Sequence, residues 1–363
     1  MSARIEAVTK ALKETGNDAY FAWSEIGLQY LVGLQEHPGH RFMTLGISKS
    51  GETCFICGAL SETQARRKGL SNIRAWKDGE DPLTHFSALG EEWGLKGGLI
   101  LVDEDMPALM LLAMQSTFPG ARFQNGGPLL NGMRRVKTES ELNLLRIAAK
   151  IADDAYDEVR PQIRNGLTER QVEKLLFNAM ESRGGHPDFG IVASGPNGAE
   201  PHHATDDTVL KSGDIVILDF GCSVDGYRSD ITRTVAIDHA SDEARRVYEI
   251  VYRAHQAGRE AVAAGKPLGN ADGAARRVIE DAGYGPKFMH RLGHGLGLQG
   301  HEMPFLVPNE SDPFQRGDCF SIEPGIYLPN QFGVRIENIY TCTGVGAESL
   351  NRMPASELEI VGN

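Results

Sequence analysis

The chain has 363 residues and a formal net charge of −12, from 37 Lys plus Arg against 49 Asp plus Glu. At roughly 150 residues per domain the length suits two domains, or three. A hydrophobic share of 41% with 24% charged residues belongs to a globular chain, and the acidic sum argues against a nucleic-acid binder, which carries a basic stripe.

In the first third, short helical and strand patterns alternate. Met1 to Glu14 is charged and amphipathic, with Ile5, Val8 and Leu12 at helical spacing, and lacks the apolar run of a secretory leader. Met43–Ile47 and Thr53–Ile56 read as a hairpin around the turn Ser48–Gly51, and Leu99–Val102 as a further strand. Cys54 and Cys57 form a CxxC, but an odd offset on a strand sends them to opposite faces, so they do not chelate one metal together. The five cysteines are scattered and odd in number, which points to packing thiols in a reducing compartment. The apolar run Pro107–Met114 is too short to span a bilayer. These features lead us to expect a soluble, cytoplasmic protein. Residues 1–131 read as an α/β domain, with Gln124–Pro128 and Arg134-Arg135 as the linker region.

A helical stretch then begins sharply. Thr138-Glu139-Ser140-Glu141 is a capping box, followed by an apolar face through Leu142, Leu145, Ala149, Ala152, Tyr156 and Val159 that ends near Pro161. Thr168-Glu169-Arg170-Gln171 is a second capping box, opening a helix that stops at Gly184-Gly185. A third helix runs from Ser241 through Val247, Val251 and Ala254. Ile215–Phe220, Tyr227–Ile237, Cys319–Ile322 and Gly333–Thr341 read as strands, so residues 132–363 form an α+β domain.

The chemistry gathers on those strands. Asp219 closes the apolar run from Asp214, and Asp230 follows eleven residues later across the turn residues Gly221 and Asp225-Gly226. A hairpin would then bring two carboxylates together, and like charges resist joint ionisation unless a cation lies between them. His294 stands between glycines in Gly293-His294-Gly295, Glu323 follows a strand, and Arg335 and Glu337 share a strand face. Each is commonplace alone, as a turn former or a surface residue. Together, four carboxylates and one imidazole suit a pair of hard or borderline divalent ions better than a thiolate zinc site.

The motifs Asp219-Phe220-Gly221 with Asp230-Ile231-Thr232-Arg233-Thr234, His290-Arg291-Leu292-Gly293-His294-Gly295, His301-Glu302, Ile322-Glu323-Pro324-Gly325 and Val334-Arg335-Ile336-Glu337 occur in one order. With Ser194-Gly195-Pro196-Asn197 and Pro201-His202-His203, they resemble the pita-bread-fold metallopeptidases of the Xaa-Pro dipeptidase (prolidase) and aminopeptidase P type. The resemblance implies a C-terminal pita-bread domain after a smaller α/β creatinase/prolidase-type domain. It implies two divalent ions, Mn²⁺ by preference with Co²⁺ or Zn²⁺ as alternatives. Their ligands would be Asp219, Asp230, His294, Glu323 and Glu337, with Asp230 and Glu337 bridging. Water between the ions would attack the imide bond before proline, with Glu323 moving the proton and His202 and His301 binding substrate and oxyanion. Arg335 would either bind a substrate carboxylate or hold a ligand carboxylate, and His203 is expected to face away. A homodimer is implied too.

Departures from the family pattern are Gln299-Gly300 and Asn338, expected to bear on substrate shape. His301-Glu302-Met303-Pro304 resembles the dipeptidase branch more than aminopeptidase P, which leaves the latter as the alternative, beside hydrolysis of another small amide or metal-free binding. In such relatives a wall at the end of the substrate often comes from the accessory domain or a second subunit; Trp23, Tyr30, His37, His40 and Arg41 are the N-terminal residues to consider for it, and the structural reading of each is favoured. Gly295-x-Gly297-x-x-Gly300 imitates a dinucleotide fingerprint, but Pro304 and Pro308 forbid the helix it requires.

Overall fold

The structure, a computed structural model, describes residues 3–37 and 39–362; Met1 and Ser2 of the amphipathic start and the terminal Asn363 lie outside them. The chain divides into two compact units, Met1–Arg134 and Arg135–Asn363.

The first unit is built on a mixed six-stranded sheet, in spatial order Ile73–Trp76, Thr53–Gly58, Thr44–Ser48, Ala19–Ala22, Leu99–Val102 and Arg122–Asn125. The hairpin pairs antiparallel, with Thr44 opposite Ile56 and Ile47 opposite Thr53. Aromatic packing fills one face: the Phe86 ring lies 5.2 Å from Phe21, edge to face, and 5.1 Å from Phe118. Cys54 and Cys57 are buried free thiols, and burial pushes them up to about 11 and about 12, which makes them inert. The stretch expected as linker, Gln124–Pro128, is instead a strand-to-helix turn. Gly126 N–H donates to Val102 O, and the Asn125 side chain accepts from Gly127 N–H at 2.8 Å to start the helix Gly127–Arg135.

In the second unit both capping boxes form. Thr138 and Thr168 accept from the Glu141 and Gln171 amides, and those two side chains reach back to the cap N–H groups. The helices Glu139–Val159 and Glu169–Glu181 then bury their apolar stripes with Val216, Leu218 and Phe220 of the strand Ile215–Val224. The helices Asp242–Glu260 and Gly269–Asp281 pack with Phe320, Ile322 and Val334. Between these helix pairs lie two sheets. One runs Glu359–Val361, Ile231–Ile237, Ile215–Val224, His186–Ser194; the other runs Glu302–Leu306, Gly293–Gly295, Cys319–Ile322, Asn338–Cys342, Ala347–Ser349.

Three strand readings need correction. Asp219 does not end its strand, which continues to Val224. The reading Tyr227–Ile237 breaks into Tyr227–Arg228 and Ile231–Ile237, because Ser229 N–H turns in to Cys222 O at 2.8 Å. Gly221 permits this crossing: a Cβ there would meet Ser229 O at 2.1 Å. Likewise Gly333–Thr341 breaks into Phe332–Arg335 and Asn338–Cys342, since Glu337 N–H leaves for Thr232 O. The break residues are Asp230 and Glu337.

His255 is fully buried, with its ring nitrogens against the neutral Tyr340 hydroxyl and Gln256 amide. Burial, aided by Arg233 and Arg259, pushes it down to about 3. A depressed native value means that stability is complete above the unfolded histidine value near 6.5 and falls as pH drops toward 3. At pH 5 this costs about 2 kcal/mol. Urea denaturation of His255→Gln at pH 7 and pH 5 should show a loss between the two pH values smaller by about that amount than in the parent.

Candidate metal centre

The two sheets meet at Thr232. It pairs with Asp219 across the hairpin and bridges to Glu337, the residue just before the strand Asn338–Cys342 of the other sheet. Its hydroxyl donates to Glu337 Oε2 at 2.7 Å and accepts from Arg335 Nε at 3.3 Å. Asp219, Asp230, His294, Arg335 and Glu337 are all buried, and the Glu323 side chain is 16% exposed.

His294 is positioned by backbone. Gly293–Gly295 runs so close to its neighbours that a Cβ on Gly293 would lie 2.0 Å from Ser321 O. That close backbone approach, rather than room for a ligand, accounts for the flanking glycine. His294 Nδ1 lies 3.1 Å from Gly295 O, which can only accept, so Nδ1 carries the proton and Nε2 presents a lone pair. That lone pair faces Glu323 Oε1 at 3.3 Å and Asp230 Oδ2 at 3.8 Å. Acceptors facing acceptors at this range require something positive between them.

The carboxylates state the same need. Ligand atoms of Asp230, His294 and Glu337 lie within 4.8 Å of one another. Asp219 Oδ2 accepts from Arg335 Nη2 at 2.6 Å and Glu323 Oε1 from Ser321 Oγ at 3.1 Å. Asp219 Oδ1, Asp230 Oδ1 and Glu337 Oε1 are buried without a partner, costly for acceptor-only groups. Burial, with added repulsion from neighbouring carboxylates, raises Asp230 and Glu337 well above the carboxylate range and Glu323 to about 7. Burial pushes His294 down to about 3, favouring the ligating neutral ring.

A cavity of about 730 Å³ opens over this floor. Its lining includes the polar His202, His301, His290 and Arg291 and the largely apolar Phe189, Ile191, Met289 and Tyr327. The His301 ring lies 3.8 Å from that of His294, and its Nδ1 is 3.3 Å from Arg291 Nη2. His203 turns away, its Nε2 2.8 Å from Glu169. Asn338 donates to Ser349 and to Arg352 O and does not line the cavity, so the expected effect on substrate shape is replaced by a structural one.

Sequence reasoning missed Thr232, Ser321, Tyr327 and His290 as site residues. Arg335 Nη1 donates to Tyr327 Oη, Tyr327 donates to His290 Nε2, and His290 Nδ1–H reaches Arg291 O, all near 2.9 Å. Thr232 and His290 stand inside the acidic and histidine motifs and Ser321 and Tyr327 close to Ile322–Gly325, which was the one signal that could have found them. Within the first unit, Trp23 and Tyr30 are buried and Arg41 pairs with Asp78, while His37 and His40 are exposed.

Residues 143–344 match Metallopeptidase family M24, and residues 4–136 match the Creatinase/Prolidase N-terminal domain. The chain belongs to metallopeptidase family M24. Its fold is that family's pita-bread domain, preceded along the chain by a creatinase-type N-terminal domain. A putative dipeptidase of Bacillus subtilis is 34% identical over 97% of this chain and 98% of its own length. A Xaa-Pro dipeptidase of Lactobacillus delbrueckii subsp. lactis is 34% identical, covering 94% of this chain and 95% of the relative. The crystal structure of a prolidase from Thermococcus sibiricus superposes with a TM-score of 0.94 at 31% identity, covering 99% of both chains.

The donor set fits divalent cations: Asp230, Glu337 and the His294 imidazole bring ligand atoms within 4.8 Å of one another, and Asp219, Asp230 and Glu337 each keep a buried oxygen without a partner. Asp230→Asn should therefore raise the melting temperature in chelator, by roughly 2–4 °C per kcal/mol of repulsion relieved, and lower it in saturating Mn²⁺. Thermal scans beside metal analysis check both signs; a variant destabilised in chelator as well would remove the cation account.

Proposed function

We propose that this chain is a metal-dependent Xaa-Pro dipeptidase, cutting the bond before proline in dipeptides. The observation that carries it is the cluster Asp219, Asp230, His294, Glu323 and Glu337 under a cavity edged by His202 and His301. The dipeptidases similar over nearly the whole chain support the substrate class. We assign those five side chains as ligands of two divalent ions, Mn²⁺ by preference, with Asp230 and Glu337 shared. Bound there, the ions would supply Lewis acidity, making a water nucleophilic near neutral pH and polarising the scissile carbonyl.

The protein groups do the rest. Glu323, beside the bound water, would take a proton from it and release it to the proline nitrogen. Arg291 can only donate to His301 Nδ1, so a neutral His301 carries its proton on Nε2 and offers it to the developing oxyanion. His202 would bind the substrate from the cavity wall. Arg335 donates from Nε, Nη1 and Nη2 to Thr232, Tyr327 and Asp219, so of its two expected roles we assign holding Asp219. Phe189, Ile191 and Tyr327 offer apolar surface for a pyrrolidine ring, whose tertiary amide brings no N–H to satisfy.

We extend the reading to a cytoplasmic homodimer, which the likeness to this family supports; light scattering on the purified protein should return twice the chain mass.

Activity decides the reading. Metal-loaded protein should release proline from a Xaa-Pro dipeptide far faster than it cuts a Xaa-Pro-Xaa tripeptide. Equal or faster cleavage of the tripeptide would make it an aminopeptidase P, and no cleavage of either with metal bound would end the proline-peptidase reading. Glu323→Gln should lower kcat by about 10²–10⁴-fold.

A further inference from the structure

Glu169 has no part in the chemistry above, yet it is fully buried at the start of the helix Glu169–Glu181. Its carboxylate takes four hydrogen bonds. Oε1 accepts from Ser194 N at 2.7 Å and Asn197 Nδ2 at 2.9 Å; Oε2 accepts from His203 Nε2 at 2.8 Å and Asp206 N at 3.3 Å. All four donors belong to the segment from Ser194 to Asp206, the same segment that carries His202 to the cavity. The backbone there is tied to the end of that segment as well, Glu169 N–H to Thr208 O and Arg170 N–H to Asp206 O.

Glu169, His203 and Asp206 have the composition of a metal site. The hydrogen bonds decide otherwise. An ionised carboxylate has about four acceptor sites, and here each faces a protein donor. His203 must donate its Nε2 proton to that oxygen, which fixes its ring against the helix with the side chain 9% exposed. His202, one residue earlier, is exposed into the cavity.

We propose that Glu169 is a positioning residue for substrate recognition: it pins the Ser194–Asp206 segment through both ends and through His203, and thereby presents His202 to the substrate. The proposal rests on the reading of the cavity as a peptide site. It acts through geometry, where a displacement of about 1 Å costs roughly 10²-fold in rate.

The test uses the full, metal-loaded chain and a Xaa-Pro dipeptide. Glu169→Gln keeps the shape but turns an acceptor oxygen into an N–H₂ that faces donors. E169Q and His202→Ala should each lower kcat/KM by about 10–100-fold, with metal content unchanged, and the double variant should fall within about 3-fold of the worse single one. His203→Ala should share the loss and His203→Gln, whose amide can still donate to Glu169, should recover most of it; this pair decides the matter if E169Q does not fold. Multiplying losses, loss that follows metal content, or H203Q no better than H203A would overturn the proposal. Amide exchange at Ser194 and Asp206 needs no substrate and should quicken about 10-fold or more in E169Q. Unchanged exchange overturns the proposal, whereas a parent protein that cuts no dipeptide but shows this quickening overturns the functional reading alone.

Discussion

Mutual repulsion among buried carboxylates is the constraint around which the second unit is arranged. Asp219, Asp230, Glu323 and Glu337 converge with too few donors to satisfy them, and only Asp219 has a cationic partner, Arg335. Without a further positive charge, burial and repulsion push Asp230, Glu323 and Glu337 toward the protonated form. Isolated carboxylates in a low-dielectric interior cost several kcal/mol each, so the arrangement is stable only with compensation built around it. Thr232 and Ser321 provide part of that by each fixing one oxygen of Glu337 and Glu323. One oxygen each of Asp219, Asp230 and Glu337 is left buried without a partner.

The backbone makes this convergence by breaking strands rather than by extending them. Asp230 and Glu337 both stand where a strand is interrupted, and each interruption lets the chain cross to a neighbour. Regular alternation would have sent their side chains to fixed faces of separate sheets. The interruptions aim both at the seam where Thr232 joins the sheets. Outside, the helix pairs bury the apolar faces of those sheets. Burial of the seam residues strengthens the electrostatic interactions among them.

Above the floor, hydrogen-bond direction sets the roles of the histidines. Carbonyl oxygens and guanidinium groups have only one possible part in a hydrogen bond, and they touch His294, His290 and His301 in turn. Each contact selects one tautomer: a lone pair at His294 toward the carboxylates, a donor at His301 toward the cavity. His203 is fixed by Glu169 in the same way. Residue identity alone would have made these four imidazoles equivalent.

The sequence by itself determined the helices after Thr138 and Thr168, the N-terminal hairpin and the acidic and histidine motifs. Capping boxes and apolar periodicity act within one or two helical turns, so they can be read locally. It also carried the resemblance that pointed to the five clustered side chains. It did not reveal the short strands Ala19–Ala22 and Ile73–Trp76, which owe their state to neighbours in the sheet. It misread Gln124–Pro128 as a linker because glycine and proline mark a helix start as readily as a chain break. Tertiary structure alone decided that Asp219 lies mid-strand, that Asp230 and Glu337 lie at breaks, and that Thr232, Tyr327 and His290 belong to the site. Those facts depend on pairing across turns and between strands, from Tyr327 with His290 at a separation of 37 to Thr232 with Glu337 at 105, and no local periodicity encodes such contacts.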